Sequence, residues 1–99
     1  MSKALLIQKI KDLQVCVLIP TYNNERTLKR VIDGVLEYTN NIIIINDGAT
    51  DSTAQILENY TQLALIKVEQ NTGKGHALRL GFKKAISLDY HYAITIDSD

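Results

Sequence analysis

The sequence predicts an α/β fold, a mostly parallel sheet with helices on both faces, and two observations carry that prediction. Short apolar runs alternate with segments whose apolar residues recur every three or four positions, the pattern of parallel strands joined by crossover helices. Two of the runs, Val15-Cys16-Val17-Leu18-Ile19 and Ile42-Ile43-Ile44-Ile45, are nearly continuous in β-branched and aliphatic residues, as expected of strands covered on both faces. Ninety-nine residues supply material for one core.

Residues 2–13 read as a leading helix, because Leu5, Leu6, Ile10 and Leu13 fall on one side and Ser2 can cap it. Residues 1–14 thus form a helical extension ahead of a domain at 15–99. The first strand is expected at 15–19. Leu28, Val31, Ile32, Val35 and Leu36 then make one apolar stripe, with Lys29, Arg30, Asp33 and Glu37 outside it. The second strand follows at 42–45. Ser52-Thr53-Ala54-Gln55 matches a capping box ahead of Ile56, Leu57 and Tyr60, so a second crossover helix begins there. The third strand is expected at 63–68 and the fourth at 93–96. Between them Ala77, Leu78, Gly81, Phe82, Ala85 and Ile86 mark a helix over residues 76–88, with Gly81 permitting close approach to the sheet. Right-handed crossovers are expected, with the first two strands in the sheet interior.

Eleven basic and eleven acidic side chains cancel, so no global field draws the chain to nucleic acid or an anionic membrane. A small partner is expected, any anion being caught locally. Cys16, inside an apolar run, reads as a small hydrophobe rather than a nucleophile. No apolar run approaches a bilayer span, and Lys9, Lys11 and Asp12 stand where a leader would be cleaved. A cytoplasmic location is expected, at the membrane face if the protein is longer. The chain stops on an acidic pair after an apolar run, so the expectation is a partial domain with an exposed apolar sheet edge able to self-associate.

Ligands of open parallel sheets bind outside the carboxyl ends of the strands, which directs attention to four segments. Asp97 and Asp99 stand two apart, so an extended chain turns both carboxylates to one face, where a hard divalent cation would relieve their repulsion. A solvated acidic chain end fits the same residues. Gly73-Lys74-Gly75 opens a helix whose free amides and dipole favour an anion, with Lys74, His76 and Arg79 adding basic groups. An ordinary Gly-rich turn is the alternative, and the pattern is neither a P-loop nor a dinucleotide fingerprint. Asp47-Gly48 offers a carboxylate for a base N–H or a plain helix-entry turn. Tyr22 is a stacking surface or a partly buried aromatic. Glu25 suits a pocket or a helix dipole, and Asp51 suits support for the cap at Ser52. His76 and His91 have no metal-type partner at helical spacing.

Taken together, Ile19-Pro20-Thr21-Tyr22-Asn23-Asn24-Glu25, Ile45-Asn46-Asp47-Gly48-Ala49-Thr50-Asp51, Asn71-Thr72-Gly73-Lys74-Gly75-His76-Ala77 and Asp97-Ser98-Asp99 resemble, in order and spacing, the family 2 glycosyltransferases of the Rossmann-like GT-A fold. The resemblance covers about residues 15 to 99. It implies that Pro20, Thr21, Tyr22 and Glu25 line a nucleotide pocket, that Asp47 binds the base, and that Lys74 lies near the nucleotide in a loop shaped by Gly73 and Gly75. It further implies that Asp97 contacts the ribose or the metal and that Asp99 ligates Mn2+ or Mg2+ on the diphosphate of a nucleotide-sugar donor. The implied reaction is an inverting sugar transfer, with the catalytic base and acceptor site beyond the Asp-x-Asp motif. No residue here is therefore assigned as catalytic, and the 99 residues alone are expected to be inactive. Ala49 departs from the family's usual Ser. The segment from Asn71 to Arg79 is similar to the subgroup acting on polyprenyl phosphates, so the acceptor is a saccharide or such a lipid. Two other readings are a phosphoacceptor receiver-like signalling module and a non-catalytic nucleotide-binding fragment; the receiver-like reading lacks the acidic pair expected after the first strand.

Overall fold

The computed structural model describes residues 1–99. The chain runs α1 (Lys3–Asp12), β1 (Val15–Thr21), α2 (Leu28–Leu36), β2 (Ile42–Asp47), α3 (Thr53–Leu57), β3 (Ala64–Val68), α4 (Lys74–Ser87) and β4 (Tyr92–Thr95). The four strands form one parallel sheet in the order β3-β2-β1-β4, with Ile19 opposite Ile44 and Thr21 opposite Asn46. The two continuous apolar runs are therefore the central strands, and every residue of both is buried.

Side chains alternate across a strand, so β1 and β2 divide their residues between two apolar layers. Val17, Ile19, Ile42 and Ile44 meet Leu28 and Ile32 of α2 and Leu57 of α3 on one face. Cys16, Leu18, Ile43 and Ile45 meet Ala77 and Ala85 of α4 on the other. Burial pushes the Cys16 thiol above its ordinary pKa, in keeping with a packing role. Gly81 of α4 faces this second layer, where a Cβ would stand 2.9 Å from Ile45 Cδ1 and 3.2 Å from Leu18 Cδ1. That contact explains a glycine in the middle of a helix.

The leading helix forms, with Ser2 Oγ accepting from Leu5 N at 3.1 Å, but only Ile10 of its apolar residues is buried. An apolar groove of about 410 Å³ runs beside it, lined by Leu6, Val31, Val35, Ile94 and Ile96. The outer strands are only half covered: Leu65 of β3 and Ile94 of β4 are 50% and 49% exposed. An exposed apolar edge is thus present at both sides of the sheet.

Three local expectations are corrected. The capping box at Ser52 does not form: its hydroxyl caps no amide, and two carboxylates serve this helix end instead. Asp51 Oδ1 accepts from Thr53 N at 2.9 Å, and Glu25 Oε2 accepts from Ser52 N at 3.0 Å. The helix there is a single short turn, and Tyr60 lies beyond it, where its hydroxyl donates to Asp33 Oδ1 of α2 at 2.7 Å. Finally, α4 starts at Lys74 rather than at residue 76 and buries a narrower stripe than its sequence suggests. Phe82 and Ile86 are 43% and 73% exposed, while Ala77, Gly81 and Ala85 are buried on the sheet and Leu78 packs partly against it.

Candidate functional site

All four strand-end segments border one cleft of about 310 Å³. Its floor is the end of β1, Pro20-Thr21-Tyr22, with Thr21 buried and Tyr22 46% exposed. Asp47 closes one side, Gly73, Lys74 and Ala77 of α4 another, and Asp97-Ser98-Asp99 the rim. Most of its lining residues are polar or Gly, as suits a charged ligand rather than a hydrocarbon.

Asp47 is only 3% exposed, and its carboxylate is saturated by the loop that precedes α4. Oδ1 accepts from Thr72 N at 3.0 Å and Thr72 Oγ1 at 2.7 Å. Oδ2 accepts from Gly73 N at 2.9 Å and Asn71 Nδ2 at 3.2 Å. Four donors occupy the acceptor positions of an ionised carboxylate. Asp47 therefore organises residues 71–73 in this conformation, and a ligand N–H could reach it only in place of one of these donors. The same loop requires Gly48, whose φ is +72°: a Cβ there would stand 2.9 Å from Gln70 Cα and closer still to Asn71 N. The amide of Ala49 donates to Asn46 Oδ1 at 3.1 Å, so the turn keeps a contact without a hydroxyl at this position.

The Lys74 ammonium donates to Asp97 Oδ1, and both side chains remain more than half exposed. Gly73, at φ +94°, turns the chain into α4. His76 Nδ1 hydrogen bonds Thr72 Oγ1 at 2.8 Å and so supports the loop from the helix side. Gly75 and Arg79 do not line the cleft.

Glu25 also lies outside the lining. Its carboxylate caps α3 through Ser52 N, while its own amide donates to Asp51 Oδ2 at 3.2 Å. Burial pushes the Asp51 carboxyl up, but its bonds from Thr53 and from the Glu25 amide outweigh that and hold it below its ordinary value. Asn23, at φ +53°, completes this staple by accepting from Thr50 N at 2.8 Å. Asn tolerates that left-handed backbone better than most residues.

Sequence reasoning passed over three polar residues of the cleft: Asn24, Asn71 and Ser98. Ser98 is 2% exposed because alternation on an extended chain turns it inward when Asp97 and Asp99 turn out. That geometry was available from the Asp-x-Asp spacing itself. The roles of Asn24 and Asn71 depend on contacts more than twenty residues distant, which no local pattern announces.

The donor set fits a hard divalent cation in part. Asp97 and Asp99 offer carboxylate oxygens at the rim, and no group of three or more His, Cys, Asp or Glu gathers to complete a coordination sphere. Magnesium commonly takes one or two carboxylates with substrate phosphates and water, so a sparse site of this kind is what a phosphate-bridging ion uses. The Lys74 ammonium on Asp97 shows that the rim already attracts positive charge.

The fold and cleft define a Rossmann-like α/β protein with its polar groups gathered at the carboxyl ends of a parallel sheet. Residues 16–99 match the sequence profile of glycosyl transferase family 2, and the chain belongs to that family. It is 33% identical to the UDP-N-acetylglucosamine–dolichyl-phosphate N-acetylglucosaminyltransferase of Methanococcus voltae, over 89% of this chain and 42% of that protein. It is 35% identical to the poly-beta-1,6-N-acetyl-D-glucosamine synthase of Staphylococcus epidermidis, over 86% of this chain and 21% of that protein. The chain thus spans less than half the length of these relatives. Glucosyl-3-phosphoglycerate synthase from Mycobacterium tuberculosis, crystallised with Mn2+, uridine diphosphate and glucosyl-3-phosphoglycerate, superposes with a TM-score of 0.77. At 23% identity, over all of this chain and 38% of that one, the likeness establishes the GT-A-like fold.

Proposed function

We propose that this chain is the donor-binding part of a metal-dependent, inverting glycosyltransferase that takes a sugar from a nucleoside diphosphate. The carrying observation is the convergence of four strand-end segments on one polar cleft, with a carboxylate pair at its rim and a lysine beside it. Pro20, Thr21 and Tyr22 would receive the nucleoside, Tyr22 offering an exposed ring for stacking. Asp47 would serve the base through the loop it holds, and Gly73 with Lys74 would face the diphosphate at the start of α4.

Asp97 and Asp99 would hold Mn2+ or Mg2+. Such an ion, when bound, supplies positive charge against the diphosphate as the sugar departs. Lys74, paired with Asp97 here, would offer its ammonium to a phosphate oxygen, and Asp97 so released would be free to hold the ion. No side chain in the cleft is assigned as the base that activates an acceptor, so these 99 residues alone would transfer no sugar.

The Methanococcus relative is named for a dolichyl-phosphate acceptor and the Staphylococcus relative for a polysaccharide product, so a polyprenyl phosphate or a saccharide is the proposed acceptor class. No helix here is long and apolar enough to cross a membrane. A lipid acceptor would bring the cleft to the cytoplasmic membrane face. A phosphoacceptor role for Asp47 gains no support, because its carboxylate is buried and fully engaged.

Isothermal titration of the full-length protein with uridine diphosphate and Mn2+ tests the proposal. Cation-dependent binding that Asp99→Ala abolishes is expected. Absence of binding to any nucleoside diphosphate, with Asp99→Ala indistinguishable from the parent, would refute it.

A further inference from the structure

Beyond Ile96, whose amide donates to Leu18 O at 3.0 Å, the chain leaves the sheet ladder, and residues 97–99 have no strand pairing to hold them. Two carboxylates can share a cation only if the backbone between them keeps its pitch. That pitch is held from the connection between β1 and α2. Ser98 Oγ lies 2.7 Å from Asn24 Oδ1 and 3.1 Å from Pro20 O, both acceptors for its single proton. Asn24 Oδ1 is itself fixed by Tyr22 N at 3.1 Å and Thr21 Oγ1 at 3.1 Å.

The backbone of the same residue is gripped from a second direction. Thr27 Oγ1 donates to Ser98 O. Thr27 is the residue at the N-cap of α2, yet its side chain caps none of that helix's amides. Threonine at this position ordinarily accepts from the first turn and stabilises the helix by about 1 kcal/mol. Here the hydroxyl is directed across 71 residues of sequence to the acidic segment instead.

We propose that Asn24, Thr27 and Ser98 form a clamp that sets the orientation of Asp97 and Asp99, with Thr27 and Ser98 acting as positioning residues for the cation. The inference rests on the donor-site reading above and adds residues that act on the two carboxylates through the backbone and side chain of Ser98. Outer-shell partners that orient metal ligands typically change metal affinity by about 10–100-fold when removed.

The test is Mn2+ affinity of the full-length protein, read by the free-ion signal in electron paramagnetic resonance, alongside thermal unfolding. Thr27→Val, which keeps shape and loses the hydroxyl, is expected to weaken Mn2+ binding about tenfold, and Thr27→Ser to restore it. Ser98→Ala should weaken it similarly, and in Thr27→Val, which lies outside the cleft lining, uridine diphosphate affinity measured without metal should change little. If the parent binds Mn2+ through Asp99 while Thr27→Val and Ser98→Ala bind it as tightly, the clamp is overturned and the donor site stands. If weakening follows the loss of thermal stability in every variant, including Thr27→Ser, the role is structural and the clamp is likewise overturned. A parent protein with no Mn2+ binding at all overturns both.

Discussion

Lys74 and Asp97 join the start of α4 to the acidic segment after β4, 23 residues apart in sequence and on different strand-end loops. Under the proposed function this ammonium would be a place-holder, neutralising the carboxylate until a stronger positive charge arrives. If the proposed donor binds, the ammonium would have a phosphate to turn to, and the pair would exchange partners without leaving either charge bare.

Lys74→Met is therefore expected to weaken nucleoside diphosphate binding about tenfold, a single charge-assisted contact being worth that order. Its thermal stability should match the parent's, because the pair is solvent-exposed and such pairs contribute little to folding. Calorimetric titration at two salt concentrations checks the first point, with the parent showing the steeper salt dependence.

Asp47→Asn tests the loop anchor. An amide has one acceptor oxygen where the carboxylate has two, so its NH2 group would confront Gly73 N or Thr72 N across about 3 Å. A loss of about 3 kcal/mol is expected in urea unfolding, from breaking a buried, charge-assisted network. Amide exchange at residues 71–73 should accelerate more than exchange in β1 or β2.

Gly48→Ala places a Cβ against the backbone of Gln70 and Asn71 at a positive φ. Neither atom is the end of a flexible side chain, so the loop must move. About 2 kcal/mol of destabilisation is expected, from strain and steric conflict together. Nucleotide affinity should fall in the same variant, since the displaced loop carries Gly73 and Lys74. Unchanged unfolding and unchanged affinity would mean that the turn adapts at no cost.

Tyr60 links the segment after α3 to α2 through Asp33, and its hydroxyl pKa is pushed up to about 12, first by burial and then by the Asp33 hydrogen bond and charge. A pKa raised above the unfolded value of 10 means that the folded state favours the protonated phenol. The associated stability is complete below pH 10 and is lost as the pH rises toward 12. About 1 kcal/mol is expected for this bond at neutral pH. Denaturant midpoints of the parent and Tyr60→Phe should therefore differ at pH 8 and converge in the alkaline range.

The elements that were legible in the sequence are those with long or uninterrupted apolar patterns. β1 and β2 announced themselves as central strands because residues buried on both faces must be apolar at every position. α2 was equally plain from Leu28, Ile32 and Val35. The short α3 misled, since a match to a capping box says nothing about competing acceptors. Asp51 and Glu25 are charged and close: Asp51 takes the Thr53 amide of the first turn, and Glu25 takes the Ser52 amide that Gln55 was expected to serve. Glu25 makes the same kind of contact, to Ser52 N, and stands outside the cleft lining as a support for the neighbouring loop.

By itself, the sequence determined the parallel α/β architecture and the four segments at the strand ends, because periodicity and residue type act locally. The tertiary structure alone decided how those segments divide their labour: Asp47 holding the loop before α4, Lys74 pairing with Asp97, and Thr27 giving up its cap to Ser98. Each of these is a hydrogen bond between groups more than twenty residues apart, and its partner is chosen by which donors the folded sheet brings within about 3 Å.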